Sequence, residues 1–406
     1  MKLLYLHQYF SFPETSGGTR SYDLSKKFVE QGIDVTIITS SAALKNMSFT
    51  KRWTFFEREG FKFWVLKSNY SHKMSIPRRI LSFIQYVFFT SLKIIKLKSD
   101  IILATSTPLT IAIPALIKKK ISGTPYIFEV RDVWPEGPIQ QGYVKNKSLI
   151  WLLRKFEKKI YNEASYVIPL SIGMKIDILS RVNVKNIEVI TNISEINRFQ
   201  NIQKTIDIGL DLTDRKIILY AGTLGPVNDI MYVARIAEKM ISINSHVVFL
   251  IIGDGNQKEK IINYCNEKGI LNKNIHFIDS ISKDSLPYVY SKATIGSSFV
   301  WDFKIKWDNS ANKFFDTLAA GRPILINYQG WQSDVINEKK CGYVLPYYFT
   351  EKDIIAFSNY LENDALLKEQ GKNALIAAKN YSLTSATEKY LKVFDLVENR
   401  NKYGKA

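Results

Sequence analysis

The stretch that decides the fold runs from residue 308 to residue 323 and reads Asp308-Asn-Ser-Ala-Asn-Lys-Phe-Phe-Asp316-Thr-Leu-Ala-Ala-Gly321-Arg-Pro323. Its Phe and Leu side chains supply the apolar face of a helix, Gly321 ends that helix, and an apolar strand follows. Asp308 precedes the helix and Asp316 lies inside it, so both flank a helix N-terminus, which attracts anionic ligands. Aspartate is a poor helix former, and its position inside the helix therefore points to a ligand contact.

Short apolar segments alternate with amphipathic segments of helical length, which predicts βα units around parallel sheets. The predicted strands are 2–10, 35–39, 101–105, 126–130 and 166–170, then 217–221, 247–252, 275–278, 295–299 and 323–326 after a polar stretch at 192–211. We predict an α/β fold of two doubly wound, Rossmann-like domains facing an interdomain cleft, where the carboxyl ends of the strands hold ligands. The predicted boundaries are 1–195, 196–382 and an amphipathic C-terminal helix within 383–406.

The charge of the chain is concentrated in its first half. The 406 residues carry a formal net charge of +18, and residues 1–200 hold 30 Lys and Arg against 15 Asp and Glu. This excess predicts an acidic partner: an anionic membrane, a nucleic acid or a phosphorylated ligand. The two cysteines and four scattered histidines favour neither a disulfide framework nor a zinc site. The N-terminus lacks the features of a signal peptide and no apolar run is long enough to span a bilayer, so we expect a cytoplasmic protein.

One segment is suited to a membrane surface. Residues 80–92 are uncharged and lie between basic residues, which is typical of a helix in the headgroup interface; a core helix of the first domain is the alternative. Further basic residues nearby favour the membrane: Lys51, Arg52, Arg58, Lys62, Lys67, Lys73 and Lys118 to Lys120. The predicted membrane contacts are Arg78, Arg79, Phe83, Phe88 and Lys93.

Two motifs in the first half point to a ligand site. Gly17-Gly18-Thr19-Arg20 follows the first strand and opens a helix, so its backbone N–H groups suit a phosphate, although a tight turn is the alternative. Residues 129–136, Glu-Val-Arg-Asp-Val-Trp-Pro-Glu, place carboxylates and a Trp after a buried strand, where they suit sugar hydroxyls and a sugar ring. The alternative is a salt bridge of Arg131 and an N-cap Asp. His7, after the first strand, is interpreted as a structural histidine.

Together with residues 5–10, Tyr-Leu-His-Gln-Tyr-Phe, and residues 220–225, Tyr-Ala-Gly-Thr-Leu-Gly, these motifs resemble those of a glycosyltransferase of the GT-B fold, family 4. Within that family the chain is similar to O-antigen and capsule transferases of the WbuB type, the fucosamine transferases. The resemblance implies a retaining transfer of a sugar from a nucleotide donor, with UDP as the nucleotide, without metal or other cofactor. It also implies that the C-terminal helix returns to the N-terminal domain.

The resemblance assigns roles to particular residues. It implies that Asp316 holds the ribose hydroxyls and that Asp308 contacts the donor sugar; both are Asp where the family has Glu and so reach less far. Gly17 and Gly18 would face the diphosphate. Asp132, or alternatively Glu129, would lie in the catalytic centre on the acceptor side.

The chain departs from the family in its phosphate-binding cations. Many members have an Arg after the glycine of the first loop in the second domain and a Lys five residues later, whereas Gly222 is followed here by Thr223 and the later position is Asn228. An unneutralised diphosphate is costly, so we predict that another cation binds it beside a helix N-terminus. The candidate cations are Arg20, Lys283 and Lys313. The helix N-terminus is that of the helix containing Asp316, and the residues predicted to contact the donor there are Ser310, Ala311 and Asn312.

These observations predict a peripheral enzyme on the inner face of the cytoplasmic membrane that builds a bacterial surface polysaccharide. Its partners would be a nucleotide sugar, a polyprenyl-diphosphate-linked acceptor and an anionic membrane surface, but no nucleic acid. Three alternatives stay open: a transferase of the same fold with a soluble acceptor, a nucleotide-sugar epimerase, and a nucleic-acid-binding protein, the last without a recognised reading motif.

Overall fold

The computed structural model describes residues 1–44, 47–68, 74 and 76–403, so His72 and Lys73 lie outside the described residues. The chain divides into two compact units. Unit 1 comprises Met1–Thr191 and Leu383–Ala406, and unit 2 comprises Asn192–Ser382.

Unit 1 is built on a seven-stranded sheet. Its strands are β1 (Lys2–Leu6), β2 (Asp34–Ser40), β3 (Trp53–Arg58), β4 (Phe61–Leu66), β5 (Ile101–Thr105), β6 (Tyr126–Val130) and β7 (Tyr166–Pro169). Its helices are α1 (Arg20–Glu30), α2 (Ile76–Ile95), α3 (Ala112–Ser122), α4 (Glu136–Gln140), α5 (Lys147–Glu163) and α6 (Ile172–Arg181), with single 3-10 turns at Ser41–Ala43 and Leu109–Ile111. The strand order is β3-β4-β2-β1-β5-β6-β7, and every pair is parallel except β3 with β4.

The central strands of unit 1 are apolar because helices cover both faces of the sheet. Every residue of β5 and β6 is buried. Strand β1 ends at Leu6, whereas the sequence predicted a strand as far as residue 10. Residues 7–10, His-Gln-Tyr-Phe, stay buried or half-buried beyond the ladder and form a loop at the carboxyl end of the sheet.

The antiparallel hairpin of β3 and β4 was not predicted. Half-buried and exposed residues alternate over 54–58 in β3, and buried and half-buried residues alternate over 61–65 in β4. Glu59 and Gly60 connect the two strands with φ of 52° and 80°. Positive φ at both central residues defines the tight turn that matches strand twist. The basic residues of this segment were interpreted as favouring a membrane contact, and the two strands that carry them were not recognised.

Unit 2 contains a six-stranded, wholly parallel sheet in the order β10-β9-β8-β11-β12-β13. Its strands are β8 (Lys216–Ala221), β9 (Val247–Ile252), β10 (Ile275–Ile278), β11 (Ile295–Ser298), β12 (Ile324–Ile326) and β13 (Gly342–Val344). Its helices are α7 (Ile196–Gln200), α8 (Ile230–Ile243), α9 (Lys258–Glu267), α10 (Leu286–Lys292), α11 (Lys304–Trp307), α12 (Asn312–Ala319), α13 (Trp331–Lys339), α14 (Glu351–Leu361) and α15 (Asp364–Lys379), with a 3-10 turn at Lys283–Ser285. Five of the six strands were predicted; the three-residue β13 carries too short a pattern to be recognised.

The last helix, α16 (Leu383–Tyr403), packs on α1 within unit 1. Its Tyr390 and Phe394 rings lie 5.6 and 5.2 Å from the Phe28 ring, measured between centroids. Aromatic pairs at this separation add to the apolar area that they bury. The end of the chain thereby joins the core of unit 1.

None of the helices in the described part of the chain combines the length and the apolar character needed to cross a membrane.

Candidate functional site

Three segments meet at the carboxyl edge of the unit 1 sheet because β1, β5 and β6 are parallel neighbours. The backbone N–H of Arg131, after β6, donates to the Ser106 hydroxyl at 2.9 Å. The Thr107 hydroxyl, after β5, donates to a carboxylate oxygen of Asp132 at 2.8 Å. Asp132 itself is exposed. The structure therefore places the predicted acceptor-side carboxylate at the predicted sheet edge, within reach of a ligand.

His7 connects β1 to the same edge. An Nη1 group of Arg131 lies 3.2 Å from His7 Nε2. Arginine keeps all its protons, so Arg131 donates, Nε2 accepts, and the imidazole proton resides on Nδ1. Burial lowers the pKa of His7 well below 6.5, and the charge of Arg131 lowers it further. His7 is therefore a neutral acceptor that holds a guanidinium.

Sequence reasoning missed this pair. It treated His7 as a satisfied structural residue and offered a salt bridge as the alternative for Arg131. Among the described residues, the Arg131 side chain pairs with no carboxylate, and Nδ1 of buried His7 has no hydrogen-bond partner. The signal available in the sequence was the position of each residue directly after a predicted strand, β1 for His7 and β6 for Arg131, since the two strands run parallel in one sheet with β5 between them.

Arg20 and Glu129 occupy the interior of unit 1. Arg20 Nε donates to Glu129 at 3.3 Å, and its terminal nitrogens donate to the carbonyls of Ile190 and Thr191 and to the Tyr390 hydroxyl. Thr105 and Tyr390 also donate to the Glu129 carboxylate. Burial alone would raise the pKa of Glu129, but the nearby arginine charges and these hydrogen bonds lower it overall.

This network changes the interpretation of two predicted site residues. Arg20 was a candidate for the donor diphosphate and Glu129 for the catalytic centre. Arg20 is 3% exposed and Glu129 is 0% exposed, and both are saturated by partners inside unit 1. Because both side chains are buried and hydrogen-bonded inside unit 1, we leave both out of the proposed site, and a ligand role for either stays a prediction.

The glycine loop before α1 is closely packed. A Cβ atom at position 17 would lie 2.1 Å from the Ser11 hydroxyl oxygen, so packing requires Gly17 whatever else the loop does. The Thr19 hydroxyl donates to Asp23 at 2.7 Å. A contact of Gly17 or Gly18 with a phosphate stays a prediction.

Unit 2 brings four predicted donor residues together at the carboxyl end of β8. Lys313, in the first turn of α12, lies against Gly222, where a Cβ atom would be 3.0 Å from Lys313 Nζ. The ammonium contacts Asn228 Oδ1 at 3.4 Å, and the Asn228 amide donates to the Thr223 carbonyl at 3.0 Å. The half-buried Lys313 on α12 thus contacts the loop after β8, in which Thr223 and Asn228 replace the Arg and Lys that many family members have.

The electrostatics distinguish Lys313 from the other lysine candidate. Burial lowers the pKa of Lys313 to about 8, against a smaller opposing effect of the Asp316 charge. Lys283, in contrast, forms a buried ion pair with Asp316 at 2.5 Å. Within the described residues Lys313 has no carboxylate partner at ion-pair distance, so its charge is the one available to an anion.

The remaining donor residues lie around α12. Ser310 is buried, and its hydroxyl accepts a hydrogen bond from the Asn192 backbone at 3.1 Å. Ala311 is the N-cap of α12, Asn312 is its first residue, and Asp308 follows α11 and is half-buried. Asp316 is 6% exposed and forms an ion pair with Lys283. The sequence predicted that an Asp inside the helix contacts a ligand, and Lys283 is the partner that the structure shows. The ribose contact of Asp316 stays a prediction.

Helix α2 carries the predicted membrane residues on different faces. Five large apolar side chains are each more than half exposed: Ile80, Leu81, Ile84, Phe88 and Leu92. We call this set the outer face of α2. Arg78 is exposed, whereas Arg79 and Phe83 are half-buried. Lys93 lies over the Trp64 ring, 2.8 Å from its centroid, so it is drawn toward the β3–β4 hairpin.

Comparison with known proteins defines the class. Residues 16–192 match the Glycosyl transferase 4-like domain, and residues 202–377 match the Glycosyl transferases group 1 family. The chain therefore belongs to the glycosyltransferases of the GT-B fold, with a 4-like domain followed by a group 1 domain. The predicted fold class is confirmed.

The solved structures similar to this chain share its fold. Crystalline HepE from Anabaena, in complex with UDP and glucose, is 13% identical, with a TM-score of 0.73 over 97% of this chain and 99% of that one. WaaG, a glycosyltransferase involved in lipopolysaccharide biosynthesis, is 14% identical, with a TM-score of 0.67 over 98% of this chain and 99% of its own.

Among curated relatives, the chain is similar to poly(ribitol-phosphate) alpha-N-acetylglucosaminyltransferase of Staphylococcus aureus (strain COL). The two are 23% identical over 269 residues, which cover 64% of this chain and 50% of the relative. Spore coat protein SA of Bacillus subtilis (strain 168) is 24% identical over 207 residues, covering 49% and 54%. The chain thus spans about half the length of the curated relatives that it matches.

Proposed function

We propose that this protein transfers a sugar, with retention of anomeric configuration, from a UDP-sugar to an acceptor linked to a lipid diphosphate. The observation that carries the donor half is the position of Lys313 against Gly222 and Asn228 in unit 2. The UDP complexes of HepE support the choice of nucleotide. Polysaccharide synthesis of the WbuB type is part of the proposal by resemblance, whereas fucosamine is an analogy and the proposal leaves the sugar open.

The chemistry follows from the charges in unit 2. Sugar transfer leaves a diphosphate that carries growing negative charge as the glycosidic bond breaks. The Lys313 ammonium and the backbone N–H groups at the start of α12 are fixed donors that would stabilise this charge more in the transition state than in the bound substrate. In such a site, positioned substrates and the fixed charges of the protein perform the role that a metal ion would otherwise have at the diphosphate. We therefore expect activity to persist in EDTA.

The donor site is tested by calorimetric titration of UDP. Lys313→Met should weaken UDP binding at pH 7 by about 10- to 100-fold, because a charged hydrogen bond to phosphate is lost. With the pKa of Lys313 near 8, wild-type affinity should also fall between pH 7 and pH 9 as the ammonium loses its proton.

The matched control is Lys372→Met, which removes an exposed lysine from α15 of the same unit and should leave binding unchanged. Lys313→Arg should retain more affinity at pH 9 than wild type, since its charge does not titrate there. Equal UDP affinity of Lys313→Met and wild type at both pH values would contradict this role of Lys313.

The acceptor half of the proposal rests on the outer face of α2. On the inner side Tyr86, Thr90 and Ile94 are buried, so the helix is anchored in unit 1 while its outer apolar residues lack cover among the described residues. The strongly basic composition of residues 1–200 complements an anionic bilayer, and an amphipathic helix of this kind lies in the headgroup interface. A lipid-linked acceptor would be met at that surface.

We expect Ile84→Glu and Phe88→Glu each to reduce co-sedimentation with phosphatidylglycerol vesicles at least tenfold, since an apolar group that enters the interface is replaced by a charge. Both side chains are exposed, 58% and 57%, so the free energy of unfolding should change little. The control is Ile376→Glu, at an equally exposed position (60%) of unit 2. Vesicle binding that is unaffected in both α2 variants would favour the soluble-acceptor alternative.

A further inference from the structure

We infer that Arg131, held by His7, binds a phosphate of the acceptor, so that unit 1 recognises the acceptor at two points: a phosphate at Arg131 and a hydroxyl at Asp132. This inference deepens the proposed function and depends on it for the identity of the acceptor. It adds two residues to which sequence reasoning gave no ligand role.

The first argument is the unused capacity of the guanidinium. Arg131 presents five N–H donors, and the described residues supply its side chain with one hydrogen-bond partner, His7 Nε2 at 3.2 Å. No ion pair joins it to any described carboxylate, and none of the residues outside the described ranges is Asp or Glu. The charge of Arg131 helps to lower the pKa of Glu129, but no carboxylate is hydrogen-bonded to this half-buried guanidinium among the described residues. A phosphate, which accepts two parallel hydrogen bonds, matches it in geometry.

The second argument is the choice of partner. Glu129, two residues away, is occupied by Arg20, and the neighbouring Asp132 is occupied by Thr107, so both carboxylates near Arg131 are directed elsewhere. Neutral His7 orients the guanidinium without neutralising it. His7 also leaves its buried Nδ1 without a partner among the described residues, an arrangement that costs stability. An ordinary structural arginine would be paired more completely.

The third argument is the neighbouring carboxylate. Asp132 follows Arg131 directly, is exposed, and already accepts one hydrogen bond from a hydroxyl, that of Thr107 at 2.8 Å. An incoming sugar hydroxyl can replace or join Thr107 at the same carboxylate. The cation of Arg131 and the hydrogen-bonding carboxylate of Asp132 lie on adjacent residues. This pair suits a ligand that carries a phosphate close to its sugar, as a sugar linked to a lipid diphosphate does.

The inference is tested on the full chain with citronellyl diphosphate, a short lipid diphosphate without a sugar, titrated in the presence of saturating UDP so that the donor site is filled. Wild type should bind it, and Arg131→Met should bind it at least tenfold more weakly while keeping its UDP affinity. Citronellol, which lacks the diphosphate, should show no difference between the two proteins.

The role of His7 as a positioning residue is tested by a matched pair. His7→Gln keeps a neutral acceptor near the Nε2 position and should retain most citronellyl diphosphate affinity, whereas His7→Phe should lose about as much as Arg131→Met. In turnover assays both Arg131→Met and His7→Phe should raise the acceptor KM far more than they lower kcat. Urea unfolding of His7→Gln and His7→Phe separates this effect from a loss of folded protein.

Two results would overturn the inference: wild-type affinity of Arg131→Met for citronellyl diphosphate, or a loss of UDP affinity in that variant, which would assign the guanidinium to the donor. The inference would also be overturned if wild type binds UDP but does not bind citronellyl diphosphate. In that case the proposed donor site would still stand. If wild type binds no UDP, the proposed function fails, and titration of citronellyl diphosphate without UDP still reports whether Arg131 binds a phosphate.

Discussion

Replacing Arg20 with methionine is expected to lower the free energy of unfolding by about 3 to 5 kcal/mol, because the Glu129 carboxylate then stays buried without its cation. Arg20 also ties α1 to the segment before unit 2 and to α16, through the carbonyls of Ile190 and Thr191 and the hydroxyl of Tyr390. The loss should therefore reach the packing of the last helix. Urea denaturation followed by circular dichroism measures it.

Three companion variants separate charge from packing. Lys26→Met removes an exposed cation from the same helix and should change the free energy of unfolding by less than about 0.5 kcal/mol. Tyr390→Phe should cost about 1 to 3 kcal/mol, since buried polar groups lose a partner. The double variant Arg20→Met/Glu129→Gln should regain part of the stability lost in Arg20→Met. A cost of less than about 1 kcal/mol for Arg20→Met would show that the network is not a buried ion pair.

Asp132→Asn is expected to reduce kcat for sugar transfer at least 100-fold, the effect typical of losing a group that positions or accepts the proton of a reacting hydroxyl. The amide keeps the size of the side chain and can still contact the Thr107 hydroxyl, so folding should be preserved. UDP affinity should stay at the wild-type value, since the proposed donor residues lie in unit 2.

Steady-state assays with wild type, Asp132→Asn and Asp395→Asn test this prediction. Asp395 is an exposed aspartate of the same unit, on α16, and its substitution should leave kcat unchanged. Activity of Asp132→Asn within a factor of three of wild type would remove Asp132 from the catalytic centre. Glu129 would not replace it, because it is buried and saturated.

Much of the fold could be predicted because parallel strands buried on both faces leave a strong local signal. The segments 101–105 and 126–130 were predicted with the bounds that β5 and β6 have in the structure. The hairpin of β3 and β4 was missed because apolar residues stand at consecutive positions, Phe55 and Phe56 in β3 and 63–66 in β4, so neither strand shows the strict apolar–polar alternation of a half-buried strand. Short strands such as β13 depend on tertiary pairing rather than on their own pattern.

The partners of charged residues could not be predicted in the same way, because they depend on contacts between segments far apart in the sequence. Arg20 follows two glycines at the start of a helix, a position that suits a phosphate, yet its partners are residues 129, 190, 191 and 390. Lys313 was one of three equivalent candidates until its contacts with Gly222 and Asn228 distinguished it. The contact between His7 and Arg131 can be recognised only once β1 and β6 are known to lie in one sheet.

The most direct test of the central claim is a transfer reaction in EDTA with UDP-sugars, a polyprenyl-diphosphate-linked saccharide and vesicles, followed by mass spectrometry and by NMR of the new anomeric centre. The account predicts release of UDP together with a lipid product one sugar heavier, whose anomeric configuration is that of the donor. Conversion of the UDP-sugar to an isomer without release of UDP would instead identify an epimerase. An unchanged lipid acceptor with every UDP-sugar, in the presence of protein that is folded, would contradict the account.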